Sequence, residues 1–462
     1  MNVSPSTQNS INQNISSPVQ LLVLSNGHGE DIIASRILQK IQSSPQPPEI
    51  FALPIVGEGR KYQELNIPAI TSGQSMPSGG FIYMNANELM RDVRRGLIQL
   101  TWTQIKAIRS WVNTRQKNQQ KCFILAVGDI VPLLFAWVSG ANYAFVGAAK
   151  SEYYVRDEAG LLKRHTKGAK WENFSGSIYH PWERWLMTRA RCQAVFPRDS
   201  LTTRILQKMS VPAFDLGNPM MDGLKPTFPR QSFFRANAEQ EELVRPLIVT
   251  LLPGSRSPET YNNWETIMVA ISSLMADLRE QEFKRGYSRN AIFLAAISPN
   301  LNLDILRQTL QYSGWHSHDR IDEFIPIHDD EALTFKQNNS YLVITKNAYN
   351  DCLYLADFAI TMAGTATEQF VGLGKPAITI PGKGPQFNSK FAEAQSRHLG
   401  RSVILVQRAE KVGQVVRTLF KNPDELHLIS QNGVQRMGKP GAAERIADCL
   451  RQKWDIFKTG VA

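Results

Sequence analysis

Cysteine and histidine are scarce and scattered in this chain of 462 residues. Its four cysteines include no C-x-x-C pair, which argues against a disulfide framework and against a structural zinc site. His316 and His318 are two residues apart, but no cysteine or carboxylate set completes a metal site around them. We therefore expect free thiols in a reducing compartment and no metal.

Long hydrophobic runs are also few. Residues 1–18 carry no charged and few apolar side chains, so they lack the basic start and apolar middle of a secretory signal, and we expect a disordered tail. The longest apolar stretch, from Cys122 to Ala149, contains Asp129 and Pro132. Because an aspartate in hydrocarbon costs about 3 kcal/mol, we predict no transmembrane helix.

Acidic residues are outnumbered, with 52 Lys+Arg against 41 Asp+Glu and a net charge of +11. The hydrophobic content of 42% excludes a wholly disordered or collagen-like chain. Positive charge suits anionic partners such as nucleic acid or a membrane surface. No RNA- or DNA-binding signature is present, so we expect no nucleic-acid partner.

Short apolar runs alternate with segments of helical spacing along the chain. The run QLLVLS at 20–25, the glycine turn after it and the helical segment that follows are typical of an α/β domain. The same alternation restarts at Leu247, after a polar segment with two prolines. We predict an α/β fold with two Rossmann-like domains facing a cleft. The predicted parts are a tail (1–18), an N-terminal domain (19–224), a linker (225–245), a C-terminal domain (246–440) and a C-terminal helix (441–462) that could pack back on the first domain.

Strands are predicted at the apolar runs of both halves. They are Gln20–Ser25, Ile50–Val56, Phe123–Val127, Tyr143–Val146, Ala194–Pro197, Ala213–Leu216, Leu247–Leu252, Ala291–Ile297, Leu342–Thr345, Phe358–Thr361 and Ala377–Ile380. Ligands of such sheets bind beyond the carboxyl ends of the strands, so the turns that follow these runs are the places to look for chemistry.

Three motifs follow strands of the second half. In LLPGSRSPE, Gly254 lets the backbone approach a ligand, and Arg256 could grip phosphate oxygens with its forked donors; a plain turn with a surface arginine is the alternative. In MAGTATEQF, small residues open a helix whose N–H groups suit a pyrophosphate, although a simple helix cap would look similar. The loop PGKGPQFN adds the amides of Gln386 and Asn388, which can read sugar hydroxyls.

Together these motifs resemble the donor domain of the GT-B glycosyltransferases. The resemblance is closest to lipid-A-disaccharide synthase and its related proteins in cyanobacteria, and more distant to the lipid-linked N-acetylglucosaminyltransferase of peptidoglycan synthesis. It covers roughly Leu247–Leu399 and is looser before that. The sequence SNGHGED stands where the synthases usually have a G-E-x-S-G-D-like turn.

The resemblance implies a GT-B fold and an inverting transfer from a nucleotide sugar, with UDP-sugar as co-substrate and no essential metal or other cofactor. The sugar would be of the N-acetylglucosamine type and the acceptor a lipid or glycolipid. The N-terminal domain would then hold the acceptor and the C-terminal domain the donor. The donor site would begin with Gly254, Ser255 and Arg256, of which Arg256 would contact the diphosphate. Gly364 and Thr365 would supply N–H groups to the diphosphate, and Glu368 would bind the ribose. Gln386 and Asn388 would contact the sugar or the neighbouring phosphate.

Such a transfer needs a base for the acceptor hydroxyl. Asp129 ends an apolar strand and projects at its carboxyl edge, while His28 and Glu30 follow the first strand. Each has a structural alternative, since Asp129 could cap the helix over 131–138, Glu30 could be a favoured carboxylate at a helix start, and His28 a turn residue. The choice between the three stays open here.

Residues 88–117 combine an apolar stripe with seven basic residues, and the aromatic segment at 76–84 precedes them. Such a helix could contact an anionic membrane, or it could pack on a sheet with a solvated basic face. We expect a cytoplasmic protein, with peripheral contact through residues 76–117 to the inner face of the cell membrane as one of these alternatives.

Two other functions remain open. A nucleotide-sugar 2-epimerase uses the same architecture without an acceptor. A non-catalytic, membrane-associated relative would keep the fold and explain the altered turn at 25–31.

Overall fold

Contacts divide the chain into two compact units. The computed structural model describes residues 19–71, 97–163, 174–227, 245–285, 290–318, 327 and 329–458. The first unit comprises Met1–Phe145, Arg189–Ala194 and Glu444–Ala462, and the second comprises Val146–Thr188 and Val195–Ala443. The predicted tail, residues 228–244 of the predicted linker and residues 76–96 of the basic segment lie outside the described residues. The domain boundaries stay a prediction.

The first half of the described chain alternates strands and helices. In chain order its elements are β1 (Gln20–Asn26), α1 (His28–Gln42), β2 (Glu49–Val56), α2 (Arg60–Glu64), α3 (Leu97–Lys117), β3 (Cys122–Gly128), α4 (Ile130–Ser139), β4 (Asn142–Gly147), β5 (Arg156–Asp157), β6 (Gly160–Leu161), α5 (Pro181–Met187), β7 (Cys192–Pro197) and α6 (Ser200–Gln207).

The second half repeats the alternation. Its elements are β8 (Leu247–Leu252), α7 (Glu259–Arg285), β9 (Ala291–Ala296), α8 (Leu303–Tyr312), β10 (His316–Ser317), β11 (Leu333–Gln337), β12 (Ser340–Thr345), α9 (Tyr349–Leu355), β13 (Phe358–Thr361), α10 (Thr365–Gly372), β14 (Ala377–Thr379), α11 (Ser389–Leu399), β15 (Val403–Leu405), α12 (Val412–Leu419), α13 (Pro423–Met437) and α14 (Ala442–Lys458).

Five strands form the first sheet in the order β2-β1-β3-β4-β7. β1 pairs in parallel with β2 on one side and with β3 on the other, and all its residues are buried. The chain runs outward from β1 to β2 and then returns to β3 on the opposite side. The loops after β1 and β3 therefore leave in opposite directions, which opens a crevice at their carboxyl ends.

The second sheet has the order β10-β11-β12-β9-β8-β13-β14-β15. The strands from β12 to β15 pair in parallel, and β10, β11 and β12 form an antiparallel edge. From β8 the chain moves outward through β9 to β12, and from β13 it moves the other way through β14 to β15. A second crevice of the same origin therefore lies between the carboxyl ends of β8 and β13.

Alternate residues of β8 enter two hydrophobic cores, one on each face of the second sheet. Val249 and Leu251 pack in the core that holds Trp264 of α7, and Leu252 packs in the core that holds Phe370 of α10. Both faces are covered, as the near-continuous apolar runs of parallel strands require. The predicted α/β class is confirmed.

Helix α3 contains the described part of the predicted basic helix. It packs in the first unit through buried Ile108, Trp111 and Val112, and the ring of Trp111 meets Phe51 of β2 edge-on at 5.6 Å. Its apolar side is therefore used for packing. None of the described helices combines the length and apolarity needed to cross a membrane.

The predicted strands match the observed ones closely except at Ala213–Leu216. That segment makes only an isolated bridge between Ala213 and Val195, because the chain turns away at Gly217, whose φ is 84°. The edge strands β10 and β11, the short β15 and the two-residue strands β5 and β6 were not predicted. Their runs are short, and β10 and β11 lie at an edge where apolar continuity is lost.

Candidate functional site

The crevice of the first sheet brings all three predicted bases to one edge, together with Asn26, which was not predicted. Asn26 ends β1 and Asp129 follows β3, and Nδ2 of Asn26 donates to Oδ2 of Asp129 at 3.0 Å. Both side chains are buried. This hydrogen bond spans the point where the strand order reverses.

Asp129 is the N-cap of α4. Its Oδ1 accepts from the backbone N–H of Val131 at 2.8 Å, in the geometry by which an aspartate satisfies a helix terminus. The structural alternative given by the sequence is therefore realised. A role of Asp129 as base stays a prediction, and it would have to operate beside this cap.

His28 and Glu30 lie in the first turn of α1. His28 is exposed and Glu30 is half-buried. Gly128, with φ of 133°, lies beside Glu30, and a Cβ at this glycine would come within 3.2 Å of Cγ of Glu30. Glycine thus lets the Glu30 side chain run along the end of β3, so all three candidate bases are found at the same sheet edge.

A buried polar network behind this edge was not predicted. The hydroxyl of Tyr62 donates to Oγ of Ser25 at 2.5 Å, and Ser25 donates to Oδ1 of Asp31 at 2.6 Å. Burial raises the pKa of Asp31 to about 6, and the hydrogen bonds only partly oppose this effect. Nothing in the spacing marks Asp31 as buried, because it follows Glu30 in an ordinary acidic first turn.

The crevice of the second sheet is bordered by all three donor motifs. The loop after β8 carries Gly254, Ser255 and Arg256, and the side chains of Ser255 and Arg256 are exposed. Gly254 has φ of 99°, and a Cβ there would lie 3.4 Å from the carbonyl oxygen of Met362 after β13. The positive φ is therefore the reason for glycine here, since a Cβ at this distance would make only an ordinary contact.

The loop after β13 leads into α10 at Gly364. Thr365 is exposed at the first position of this helix, so its end is open to solvent. The buried side chain of Gln395 holds this loop in place, because its Nε2 donates to the carbonyls of Ala363 and Gly364, both at 3.1 Å. Thr367 is buried and therefore contributes to this support rather than to the open surface.

The loop after β14 is tied to the start of α7. Oε1 of Glu259 accepts from the N–H of Phe387 at 2.6 Å, and Oε2 accepts from the N–H of Gln386 at 3.4 Å. Nδ2 of Asn263 donates to the carbonyl of Pro253 at 3.0 Å. Glu259 and Asn263 thus hold the loops of the site in place. The sequence motifs did not predict this role.

Asn388 is the N-cap of α11. Its Oδ1 accepts from the N–H groups of Lys390 and Phe391, both at 3.0 Å, and its Nδ2 donates to Pro385. Gln386 is half-buried in the same loop. Contact of either amide with a sugar stays a prediction.

Glu368 lies one turn into α10 and is buried. Its Oε2 is 2.7 Å from Nη2 of Arg198, and its Oε1 is 3.5 Å from Nδ1 of His398. Arg198 and His398 were not predicted from the sequence, because an arginine after β7 and a histidine at the end of α11 carry no recognisable signal. Within the described ranges, no group of three or more His, Cys, Asp and Glu side chains could hold a metal ion.

The arrangement of both sheets defines the class of the protein: this is a GT-B fold. No protein-family model and no curated protein matches the chain. Among solved structures, a UDP-N-acetylglucosamine 2-epimerase from Listeria monocytogenes is 14% identical with a TM-score of 0.51, over 95% of this chain and 97% of that one. S. aureus MnaA with UDP is 12% identical with a TM-score of 0.51, over the same shares of 95% and 97%. At these identities the likeness concerns the fold.

Proposed function

We propose that this chain is a UDP-sugar enzyme, and specifically an inverting glycosyltransferase similar to lipid-A-disaccharide synthase. It would move a sugar of the N-acetylglucosamine type to a lipid or glycolipid acceptor. The observation that supports this most is the position of the three donor motifs. They border the crevice between β8 and β13, where ligands of open α/β sheets bind.

The chemistry of the crevice suits a nucleoside diphosphate. A guanidinium such as Arg256 can pair with two phosphate oxygens, and the open end of α10 at Gly364 and Thr365 presents N–H groups to an anion. The leaving diphosphate gains negative charge as the sugar departs, so these groups would stabilise the transition state more than the ground state. Glu368 would accept hydrogen bonds from the ribose, and Gln386 and Asn388 would contact the sugar.

Calorimetry with UDP tests the donor site. We expect wild-type protein to bind UDP and Arg256→Ala to bind it roughly tenfold or more weakly, because a charge-assisted pair is lost. Arg307→Ala is a matched control, since Arg307 is a half-exposed arginine on α8 paired with Asp304 at 3.6 Å. An absence of UDP binding, or equal affinity in all three proteins, would contradict the proposal.

A 2-epimerase is the second candidate, and the name of the similar structure from Listeria monocytogenes favours it. The two reactions differ in what they need. A transferase releases UDP from UDP-N-acetylglucosamine only when an acceptor is present, whereas an epimerase changes the sugar with the donor alone. Incubation of the protein with UDP-N-acetylglucosamine, with and without a lipid acceptor, followed by chromatography of the sugar nucleotides, separates them. We expect no epimer and acceptor-dependent UDP.

The transfer needs a base for the acceptor hydroxyl, and we propose that it lies at the edge of the first sheet. Asp129, His28 and Glu30 stay candidates, and Asp129→Asn, His28→Ala and Glu30→Gln compared in the UDP-release assay would distinguish them. Loss of turnover with retained UDP affinity identifies the base. If wild-type protein binds UDP but no acceptor gives turnover, the non-catalytic alternative is favoured.

A further inference from the structure

Arg198 and Glu368 form a buried ion pair within the second unit. Arg198 is 6% exposed and Glu368 is 8% exposed, and the distance from Nη2 to Oε2 is 2.7 Å. A buried charge pair is costly to desolvate and is often no better for stability than an apolar pair. Stability alone therefore does not explain why the chain buries the Arg198–Glu368 ion pair. A role in which one partner orients the other would explain it.

The surroundings hold Arg198 in place. It follows β7 directly, its Nη1 donates to the carbonyl of Ala148 at 3.2 Å, and the next residue, Asp199, is the N-cap of α6. The guanidinium therefore reaches Glu368 from a fixed stretch of backbone. Only one of its nitrogens bonds the carboxylate, so lone pairs on Glu368 remain for another donor.

The electrostatics keep Glu368 ionised. Burial by itself would raise its pKa, but the charge of Arg198 and the nearby imidazole of His398, 3.5 Å away, lower it to about 2. Burial and the charge of Arg198 lower the pKa of His398, whose ring stacks on Tyr154 at 4.6 Å. The other charged groups that act on this cluster are Asp199 and Arg397. At neutral pH the carboxylate is therefore a pure acceptor, which suits hydroxyl groups.

We propose that Arg198 is a positioning residue that holds the Glu368 carboxylate in the orientation that accepts hydrogen bonds from the ribose hydroxyls of UDP. The inference rests on the proposed donor site and adds a residue to it. Arg198 acts through Glu368, whose side chain keeps 11% of its surface exposed. Arg198 thereby contributes to discrimination between ribonucleotides and deoxyribonucleotides.

The test compares the affinities of UDP and 2′-deoxy-UDP by calorimetry. A hydrogen bond from a hydroxyl to a charged acceptor makes wild-type protein favour UDP by roughly tenfold or more. We expect Glu368→Gln and Arg198→Met to reduce this ratio to less than about threefold, and Arg198→Lys to restore part of it because the positive charge remains. A general loss of structure would weaken both ligands equally and leave the ratio unchanged.

Arg245→Met is the matched control. Arg245 also forms a partly buried ion pair, with Asp357 at 2.8 Å, but Asp357 comes just before β13, at the opposite edge of the sheet from the crevice. We expect this variant to lose stability and to keep the ligand ratio. If Arg198→Met or Arg198→Lys keeps the full wild-type ratio, or binds UDP more tightly than wild-type protein, the inference is overturned. The proposed function stands in that case, because UDP is still bound. If wild-type protein binds no UDP, the proposed function itself fails.

Discussion

Asp129 shows how one side chain can satisfy two structural demands at a sheet edge. Its two oxygens accept from Val131 N–H and from Asn26 Nδ2. We expect Asp129→Ala to lower the free energy of unfolding by about 1 kcal/mol or more, because the cap is lost. Asp129→Asn keeps an oxygen for Val131, and the Asn26 amide can rotate to accept, so its loss should be smaller. Urea unfolding of both variants measures this, and equal losses would show that the cap is not the source of the effect.

Asp31 should make stability depend on pH. Its pKa is 3.8 in an unfolded chain and rises to about 6 on burial, so the folded state binds the proton more tightly. The free energy of unfolding therefore falls as pH rises across that interval and is level above it. We expect this dependence, at most about 3 kcal/mol, to be absent in Asp31→Asn. Urea unfolding at several pH values compares the two proteins, and parallel curves would refute the assignment.

At the scale of elements, the strands that are buried on both faces could be predicted from the sequence. The side chains that hold the loops and site residues at the ends of these strands could not. Val249 and Leu251 belong to a short apolar run that ends at Pro-Gly, a pattern that favours a buried strand followed by a loop, and the structure has both there. Glu259 contacts Phe387, Asn263 contacts the carbonyl of Met362, and Arg198 contacts Glu368, in each case across about 100 residues of sequence or more. Such long-range contacts depend on the packing of several elements, so no local pattern contains them.

The loop after β14 offers a prediction at this scale. Asn388 caps α11 and Asn302 caps α8, each through Oδ1, which accepts from two backbone N–H groups at Asn388 and from one at Asn302. We expect Asn388→Ala and Asn302→Ala each to cost about 1 kcal/mol of stability. Only Asn388→Ala should also weaken binding of UDP-N-acetylglucosamine, because it alters the loop at the crevice. Calorimetry that shows the same affinity for both variants would remove Asn388 from the donor site.

The whole molecule is basic, and its charge is the property most directly given by composition. The apolar side of α3 is largely occupied by packing in the first unit. Its exposed surface is polar and basic, with Lys106 and Arg109 exposed, apart from Trp102, which is 59% exposed and lies beside the Lys106 ammonium. A contact of this surface with a membrane would therefore depend mainly on charge, with the Trp102 ring as the large apolar side chain that the described part of α3 exposes. Such contacts are screened within about 10 Å at 0.1 M salt.

Sedimentation with vesicles tests this view. We expect the protein to bind vesicles that contain phosphatidylglycerol and to dissociate from them at high salt. We expect no binding to vesicles of phosphatidylcholine alone. Basic residues near an anionic surface contribute about 1 kcal/mol each, so Lys106→Glu with Arg109→Glu should weaken binding at least about tenfold. The pair Arg204→Glu and Lys208→Glu, exposed at α6, changes the net charge equally and is the control. Equal weakening by both pairs would mean that overall charge, rather than the exposed side of α3, governs association, and binding that persists at high salt would require apolar insertion instead.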